Sequence, residues 1–277
     1  MLVVALLPAC SAIKIAYNQA PDLTYWWLDS YFDFNGQQTP KLRDEINKLF
    51  AWHRANQLPK VVALLQKTQT QLPGAVSPEQ TCAVFDEVRG LYEAIVDKGL
   101  PAVSELATSV APEQLQHLQR KYQKNNDEYV RNYITSKPDE RDAKRLKQAV
   151  QRSEMIYGKL DDAQIAAIQR AILKSSFNAV LGLKERQRRQ KDAIDVLAKL
   201  SSEKPGPQQV QTALRAYLER STKSPDLVYR AYSEKMVKES CDSFAAIHAT
   251  TSAEQRANAV ITLKSYEADM RILAAQR

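Results

Sequence analysis

One pattern recurs four times along this chain, each time where a helix is expected to begin, and it constrains the fold more than any other feature. A glutamine stands three residues after the expected cap position in Ser77–Gln80, Ala111–Gln114, Asp161–Gln164 and Ser252–Gln255, and three of these four cap residues carry a side-chain oxygen. In such a capping box the cap side chain accepts a hydrogen bond from the first turn, and the glutamine accepts one from the backbone N–H of the cap residue. The repeat predicts a chain built of successive helices.

Apolar residues after these starts recur at steps of three and four, as along Leu115, Leu118 and Tyr122 and along Val260, Leu263 and Tyr266. The alternation typical of strands is absent over any useful length, and 7 glycines in 277 residues are too few for many hairpin turns. We therefore predict an all-α fold, a bundle of roughly ten helices in one domain or two sub-bundles. The predicted helices are 40–57, 59–72, 77–99, 112–135, 138–158, 161–174, 179–200, 207–222, 225–249 and 252–275.

The first eleven residues, MLVVALLPACS, form an apolar run that ends at a cysteine. Such a run matches the apolar part of a secretory signal, and Leu7-Pro8-Ala9-Cys10 resembles the lipobox of bacterial lipoproteins. In those proteins the chain is cut before the cysteine, which then carries the acyl chains. The resemblance implies a signal peptide over 1–9, lipidation of Cys10 and, because Ser11 follows, sorting to the outer membrane. The alternative is a buried N-terminal strand or helix.

Composition limits the partners of the chain. With 44% apolar residues it can build a core, yet no segment after residue 11 has the ~20 apolar residues that a membrane-spanning helix needs. The net charge of +7 comes from basic residues spread among acidic ones, which steers the protein only mildly toward anionic surfaces. An exported protein does not meet nucleic acid. The expected partners are the membrane, through acyl chains on Cys10, and a periplasmic protein or envelope polymer.

Two cysteines remain if Cys10 is lipidated, Cys82 and Cys241. The periplasm is oxidising. The spacing of Cys82 with Phe85, Val88 and Tyr92, and that of Cys241 with neighbouring apolar residues, predicts that both thiols point inward on helix faces. We predict a Cys82–Cys241 disulfide; the alternative is two inert buried thiols.

Aromatic residues are densest just after the predicted anchor. Seven of the chain's 21 aromatic residues lie between Tyr17 and Phe34, interleaved with aspartates. One interpretation is a cap that packs its rings into the bundle; another is a binding surface or an interfacial belt beside the membrane, because Trp and Tyr suit a half-wet boundary. We divide the chain into 10–38, the anchor and aromatic-rich segment, and 39–277, the helical domain. The candidate partner-binding residues are Tyr25, Trp26, Trp27, Asp29 and Tyr31.

Several segments together resemble an uncharacterised family of Gram-negative lipoproteins. The segments are Tyr17-Asn-Gln-Ala-Pro-Asp-Leu23, Trp26-Trp-Leu-Asp29, Phe50-Ala-Trp-His53, Glu185-Arg-Gln-Arg-Arg189 and Tyr266-Glu-Ala-Asp269. The resemblance covers nearly the whole chain and implies location and class, but no catalytic residue. The repeated glutamine starts also resemble, more loosely, the Leu-Thr-x-x-Gln motifs of small helical periplasmic stress proteins.

Motifs of known chemistry do not occur in the sequence. His53, His117 and His248 lack the spacing of a zinc site, and no nucleophile elbow, dinucleotide fingerprint or P-loop is present. We therefore expect no metal or cofactor. The basic run 184–191 is expected on an exposed helix, with lipid headgroups or anionic polymers as an alternative role.

The predicted function is that of a non-enzymatic, lipid-anchored periplasmic protein of the cell envelope, with a binding or scaffolding role. One alternative is a chaperone-like or envelope-stress protein. The other is a peptidoglycan-acting enzyme, for which Glu45 is the candidate acid.

Overall fold

The fold, described for residues 12–276 by a computed structural model, is all-α, as the sequence predicts. This part of the chain contains eleven α-helices, one π-helical turn and no strand. The helices are α1 (Ala12–Phe32), α2 (Gln38–Asn56), α3 (Leu58–Gln71), α4 (Pro78–Ala107), α5 (Pro112–Tyr129), α6 (Pro138–Tyr157), α7 (Asp162–Lys174), α8 (Ala179–Glu203), α9 (Pro207–Thr222), α10 (Leu227–Ala249) and α11 (Ala253–Ala275), and the π-helical turn Val130–Ile134 follows α5.

The predicted capping glutamines all accept a hydrogen bond from the backbone N–H of the cap residue. The N···Oε1 distances lie between 2.8 and 3.0 Å at the starts of α4, α5, α7 and α11. The start of α9 has the same arrangement, with Gly206 N–H donating to Gln209 at 3.3 Å. Ala111 carries no side-chain oxygen, so at α5 only the glutamine half of the box can form.

Three of these glutamines also join helices, through two reciprocal amide pairs. Gln164 donates to Gln255 at 2.7 Å and accepts from it at 2.9 Å, which ties the start of α7 to the start of α11. Gln114 donates to Gln38 at 2.8 Å and accepts from it at 3.2 Å, which ties α5 to α2. Because all of these amides except that of Gln255 are buried, their pairing satisfies groups that would be costly to leave unbonded. The capping motif therefore fixes packing as well as helix starts.

The core consists of three apolar clusters. The largest lies between α3, α6, α7 and α11, the second between α4, α8 and α9, and the third between α1 and α2. Helix α11 packs most extensively against α3, far from it in sequence. Of the residues that the sequence placed on the stripes of α5 and α11, Leu118 and Leu263 are buried, and Leu115, Tyr122, Val260 and Tyr266 are half-buried.

Two predicted boundaries are wrong. Helix α4 does not stop at residue 99 but passes through Pro101 to Ala107. Proline removes one helical hydrogen bond, yet Leu100, Ser104 and Ala107 are buried on the same side of α4, and this packing sustains the helix. The predicted helices also began near residue 40, whereas the aromatic segment is itself a helix, α1, which accommodates Pro21.

A disulfide joins Cys82 on α4 to Cys241 on α10, as predicted, with the two α-carbons 5.5 Å apart. Cys241 is fully buried, but the predicted inward stripe after Cys82 is wrong. The side chains of Phe85, Val88 and Tyr92 are 38%, 50% and 58% exposed. These three side chains are not covered by the helices that pack on α4, so their apolar spacing marks a surface instead of a core.

Cys10 and the apolar run before it lie outside the described residues. Within residues 12–276, no helix combines the length and apolar character needed to cross a membrane.

Candidate functional site

Helix α1 is attached to the bundle by α2, α5 and α11. The hydroxyl of Tyr17 lies 2.7 Å from Nδ1 of His53 on α2, and the Tyr17 ring meets Phe50 edge-on at 5.8 Å. Burial, together with the nearby charge of Arg54, lowers the pKa of His53. The imidazole is therefore neutral at neutral pH, and its bond to Tyr17 joins two uncharged groups.

Two charged residues add to this attachment. Lys14 forms an ion pair with the buried Asp269 of α11 at 3.4 Å, and Arg54 donates to the amide oxygen of Asn18 at 2.8 Å. Three of the segments that carry the family resemblance therefore meet here, because Asn18, His53 and Asp269 each belong to one of them. The contacts of these three residues hold α1 against the rest of the bundle.

The opposite side of α1 is exposed and apolar. We call the surface formed by Ile15, Leu23, Trp26 and Trp27 the tryptophan face. These side chains are 54%, 55%, 62% and 60% exposed, and their spacing of three, four and eight residues places them on one side of the helix. Large apolar groups grouped in this way are unusual on a protein surface and indicate an interaction site.

The other three candidate residues do not belong to the tryptophan face. Tyr25 is buried, with its hydroxyl 3.0 Å from Thr39 Oγ1 and the Arg43 guanidinium 3.7 Å above its ring. Its position one residue before Trp26 turns it by about 100° around the helix, onto the packed side. Tyr25 is thus a core residue, not one displayed to a partner.

Asp29 and Tyr31 hold the end of α1. Asp29 accepts a hydrogen bond from the backbone N–H of Phe34 at 2.9 Å, and this bond closes the turn after the helix. The Tyr31 hydroxyl accepts from Asn125 of α5 at 2.9 Å, and the ring lies 5.1 Å from that of Trp27. Tyr31 therefore supports Trp27 of the tryptophan face, whereas Asp29 closes the turn at the end of the helix.

A groove that the sequence did not predict lies between α4, α8, α9 and α10. It encloses about 1120 Å³, and we call it the α4–α10 groove. Both signs of charge line it, with Arg89, Arg215 and Arg230 facing Asp97, Glu219 and Glu234, and two tyrosines, Tyr92 and Tyr229, join them. The exposed stripe of α4 contributes Tyr92, and that stripe was the signal in the sequence that could have revealed the groove.

A smaller cavity of about 630 Å³ lies between α6, α7 and α10. Arg145, Arg152, Glu239 and Asp242 line it. Glu239 accepts hydrogen bonds from Ser176, which lower the pKa of its carboxyl group. This carboxylate is therefore engaged in holding the turn before α8.

The basic run 184–191, which was predicted on an exposed helix, is exposed only in part: the side chains of Lys184 and Lys191 are 73% and 77% exposed, whereas that of Arg188 is 26% exposed. Its Glu185 is only 3% exposed and accepts bonds from Arg188 and Arg189 at 2.8 to 2.9 Å and from Ser224 at 3.0 Å. Burial alone raises the pKa of Glu185, but these donors outweigh it and the pKa is lowered. The arginines are thus used inside the fold, around one buried carboxylate.

The remaining candidate groups are occupied by structural contacts. Glu45, the acid considered for an enzyme, pairs with Lys48 at 2.7 Å and lines neither cavity. His248 is fully buried between the Tyr157 hydroxyl at 2.9 Å and the Gly74 carbonyl at 2.8 Å. His117 contacts the Ser30 carbonyl at 3.2 Å. In the part of the chain that the structure describes, no cluster of His, Cys, Asp or Glu could hold a metal ion.

Comparison with known protein families matches residues 30–230 to DUF6279, a family of unknown function. The match covers well over half of the chain. The chain belongs to the DUF6279 family. The DUF6279 match includes Cys82 but ends before Cys241, and it begins within the last turn of α1. No curated protein and no solved structure matches the chain.

Proposed function

We propose that this DUF6279 protein is a lipoprotein, held by acylated Cys10 at the periplasmic face of the outer membrane of a Gram-negative cell. The support is the likeness of Leu7-Pro8-Ala9-Cys10 to a lipobox. The described chain begins as a helix only two residues after that cysteine. Several acyl chains together provide stable anchoring.

Its role in this proposal is binding or scaffolding, without catalysis. The observation that carries this role is the exposed pair Trp26 and Trp27 on a helix that is firmly attached to the bundle. A glycan-cleaving acid needs a raised pKa in a cleft, whereas the buried Glu185 has a lowered pKa and Glu45 lies outside both cavities. These contacts favour binding over the alternative of a peptidoglycan-acting enzyme.

A scaffold needs a second surface besides the one beside its anchor, and the α4–α10 groove is suited to this. Its arginines, carboxylates and two tyrosines could bind the mixed charges of a periplasmic protein or an envelope polymer. Helix α1 packs on α2, α5 and α11, while the groove is lined by α4, α8, α9 and α10. The tryptophan face of α1 and the α4–α10 groove therefore lie on different helices, and both could be occupied at the same time.

The exposed stripe of α4 favours a second candidate, a chaperone-like protein. Phe85, Val88 and Tyr92 lie side by side on the surface, and Val237 extends them across the groove to α10. An unfolded client would bind such an apolar strip with little sequence selectivity.

Labelling with a fatty acid tests the anchor. Cells that express the full precursor with labelled palmitate should incorporate label into the protein, and Cys10→Ala should abolish it. Equal label in both proteins would disprove the anchoring.

In-cell photo-crosslinking tests the second surface. A crosslinking residue at Tyr92, within the groove, should capture one defined partner, while the same residue at the exposed Val180 of α8 serves as the control. Capture of many unrelated, unfolded proteins at position 92 would favour the chaperone. The same products at both positions would refute a binding role for the groove.

A further inference from the structure

The anchor and the tryptophan face are close along one rigid helix. Ala12, the first residue of α1, is two positions after Cys10, so the start of α1 lies within about 7 Å of the acylated residue. A helix rises 1.5 Å per residue, which puts Trp26 about 21 Å farther along the same axis. The acyl chains therefore confine the whole of α1 to the neighbourhood of the bilayer surface.

The polar residues beside the tryptophan face are already paired. Asp22, which is exposed, forms an ion pair with Arg43 at 2.7 Å, and Asn18 accepts from Arg54. Asp29, the other acidic residue of α1, is half-buried and accepts a hydrogen bond from the backbone N–H of Phe34. Both acidic side chains of α1 are therefore engaged in contacts within the protein, and neither adds an unpaired negative charge that would repel phosphate headgroups.

We propose that the tryptophan face binds the lipid surface, with α1 lying in the headgroup region of the membrane that holds Cys10. This inference rests on the proposed lipidation of Cys10 and names the partner of the site described above. Tryptophan is favoured at this depth because its ring is apolar while its N–H can still reach water. The tether also supplies a high effective concentration of lipid, against which a soluble partner would have to compete.

This arrangement gives the anchored protein a fixed orientation. The acyl chains alone do not determine how the bundle is oriented relative to the membrane. Contact along α1 adds apolar burial to the anchor and brings α2, α5 and α11, which pack on α1, close to the membrane.

Quenching by brominated lipid tests the proposal on the acylated protein. The chain has three tryptophans, so Trp52→Phe leaves only Trp26 and Trp27 as emitters. This variant is reconstituted in vesicles of phosphatidylcholine with phosphatidylglycerol, made with or without bromine on the upper acyl carbons. We expect bromine to lower the emission by about half or more, because an interfacial helix buries its apolar face ~5–10 Å into this region.

Two variants control for the rest of the molecule. Trp26→Ala combined with Trp27→Ala keeps only Trp52, whose emission should be the same in both kinds of vesicle. Leu227→Ala combined with Val228→Ala removes an equally consecutive apolar pair, each 70% exposed on α10, and should leave the quenching of Trp26 and Trp27 unchanged.

The outcomes separate the inference from the function on which it rests. Equal emission with and without bromine, in protein whose acylation is verified by mass, overturns the lipid contact and leaves the anchor intact. The same follows if lipid fails to quench and a crosslinker at position 26 captures a protein. Absence of acyl chains on Cys10 overturns both proposals.

Discussion

Removing the Cys82–Cys241 disulfide should lower the free energy of unfolding by up to about 5 kcal/mol. The bond joins cysteines separated by 159 positions. For a loop of this length the loss of chain entropy in the unfolded state amounts to about 17 cal/mol/K, or about 5 kcal/mol at 25 °C. This is an upper figure, because residual structure in the unfolded chain reduces it. The figure is a large part of the ~5–15 kcal/mol that stabilises a typical protein.

The assay is urea unfolding of oxidised protein, of reduced protein, and of the variant Cys82→Ala with Cys241→Ala. All three carry Cys10→Ala, so that no other thiol is present. Because Cys241 is fully buried, the alanine variant also loses contacts in the folded state, and the reduced protein separates that loss from the entropy. Reduced protein within about 1 kcal/mol of oxidised protein would refute the entropic reasoning. Two titratable thiols in protein isolated from the periplasm would show that the bond does not form.

Three further predictions concern stability. Trp26→Ala and Trp27→Ala should each change the free energy of unfolding by less than about 1 kcal/mol, because both rings are mostly exposed. Leu118→Ala, in the core, is the control and should cost ~2–5 kcal/mol. A loss of that size in either tryptophan variant would contradict the exposure of these rings. Glu185→Ala should cost about 2–3 kcal/mol in urea unfolding, since it removes charged hydrogen bonds from a buried position, and no loss would show that this cluster is dispensable. Burial lowers the pKa of His248, so on acidification this histidine is protonated in the unfolded chain at a higher pH than in the folded protein. The free energy of unfolding should therefore be at its full value above about pH 6.5 and should decrease below it. A constant free energy of unfolding between about pH 5 and pH 7 would contradict this.

The all-α fold could be predicted from the sequence because the signals for it, helix caps and apolar periodicity, are local. Helix caps such as Ser252–Gln255 depend on four consecutive residues, and the stripes of α5 and α11 on a single helical period. The same dependence on local signals explains why the end of α4 was predicted before Pro101. The proline is locally unfavourable, but the residues around it are buried against α8 and α9, which follow about a hundred residues later in the chain.

The site was readable only in part. Aromatic density located the segment around Trp26 and Trp27, but it could not separate them from Tyr25, because the partners that bury Tyr25 lie on α2. The apolar stripe of α4 is the only local signal of the α4–α10 groove among the helices that line it, and it could not show that α8, α9 and α10, which lie far along the chain, form the rest of the groove. The apolar spacing on α4 predicted that Tyr92 is buried, and this prediction was wrong. Periodicity shows which residues share a helix face, but it does not show whether another helix covers that face.

The mass of the mature N-terminal peptide tests the central claim most directly. Protein is extracted from the outer membrane of cells that express the full precursor, digested, and its first peptide identified by mass spectrometry. The proposed anchoring predicts a peptide that begins at Cys10 and carries acyl chains on that residue. An N-terminal peptide that retains residues 1–9, or one with an unmodified Cys10 thiol, would contradict it.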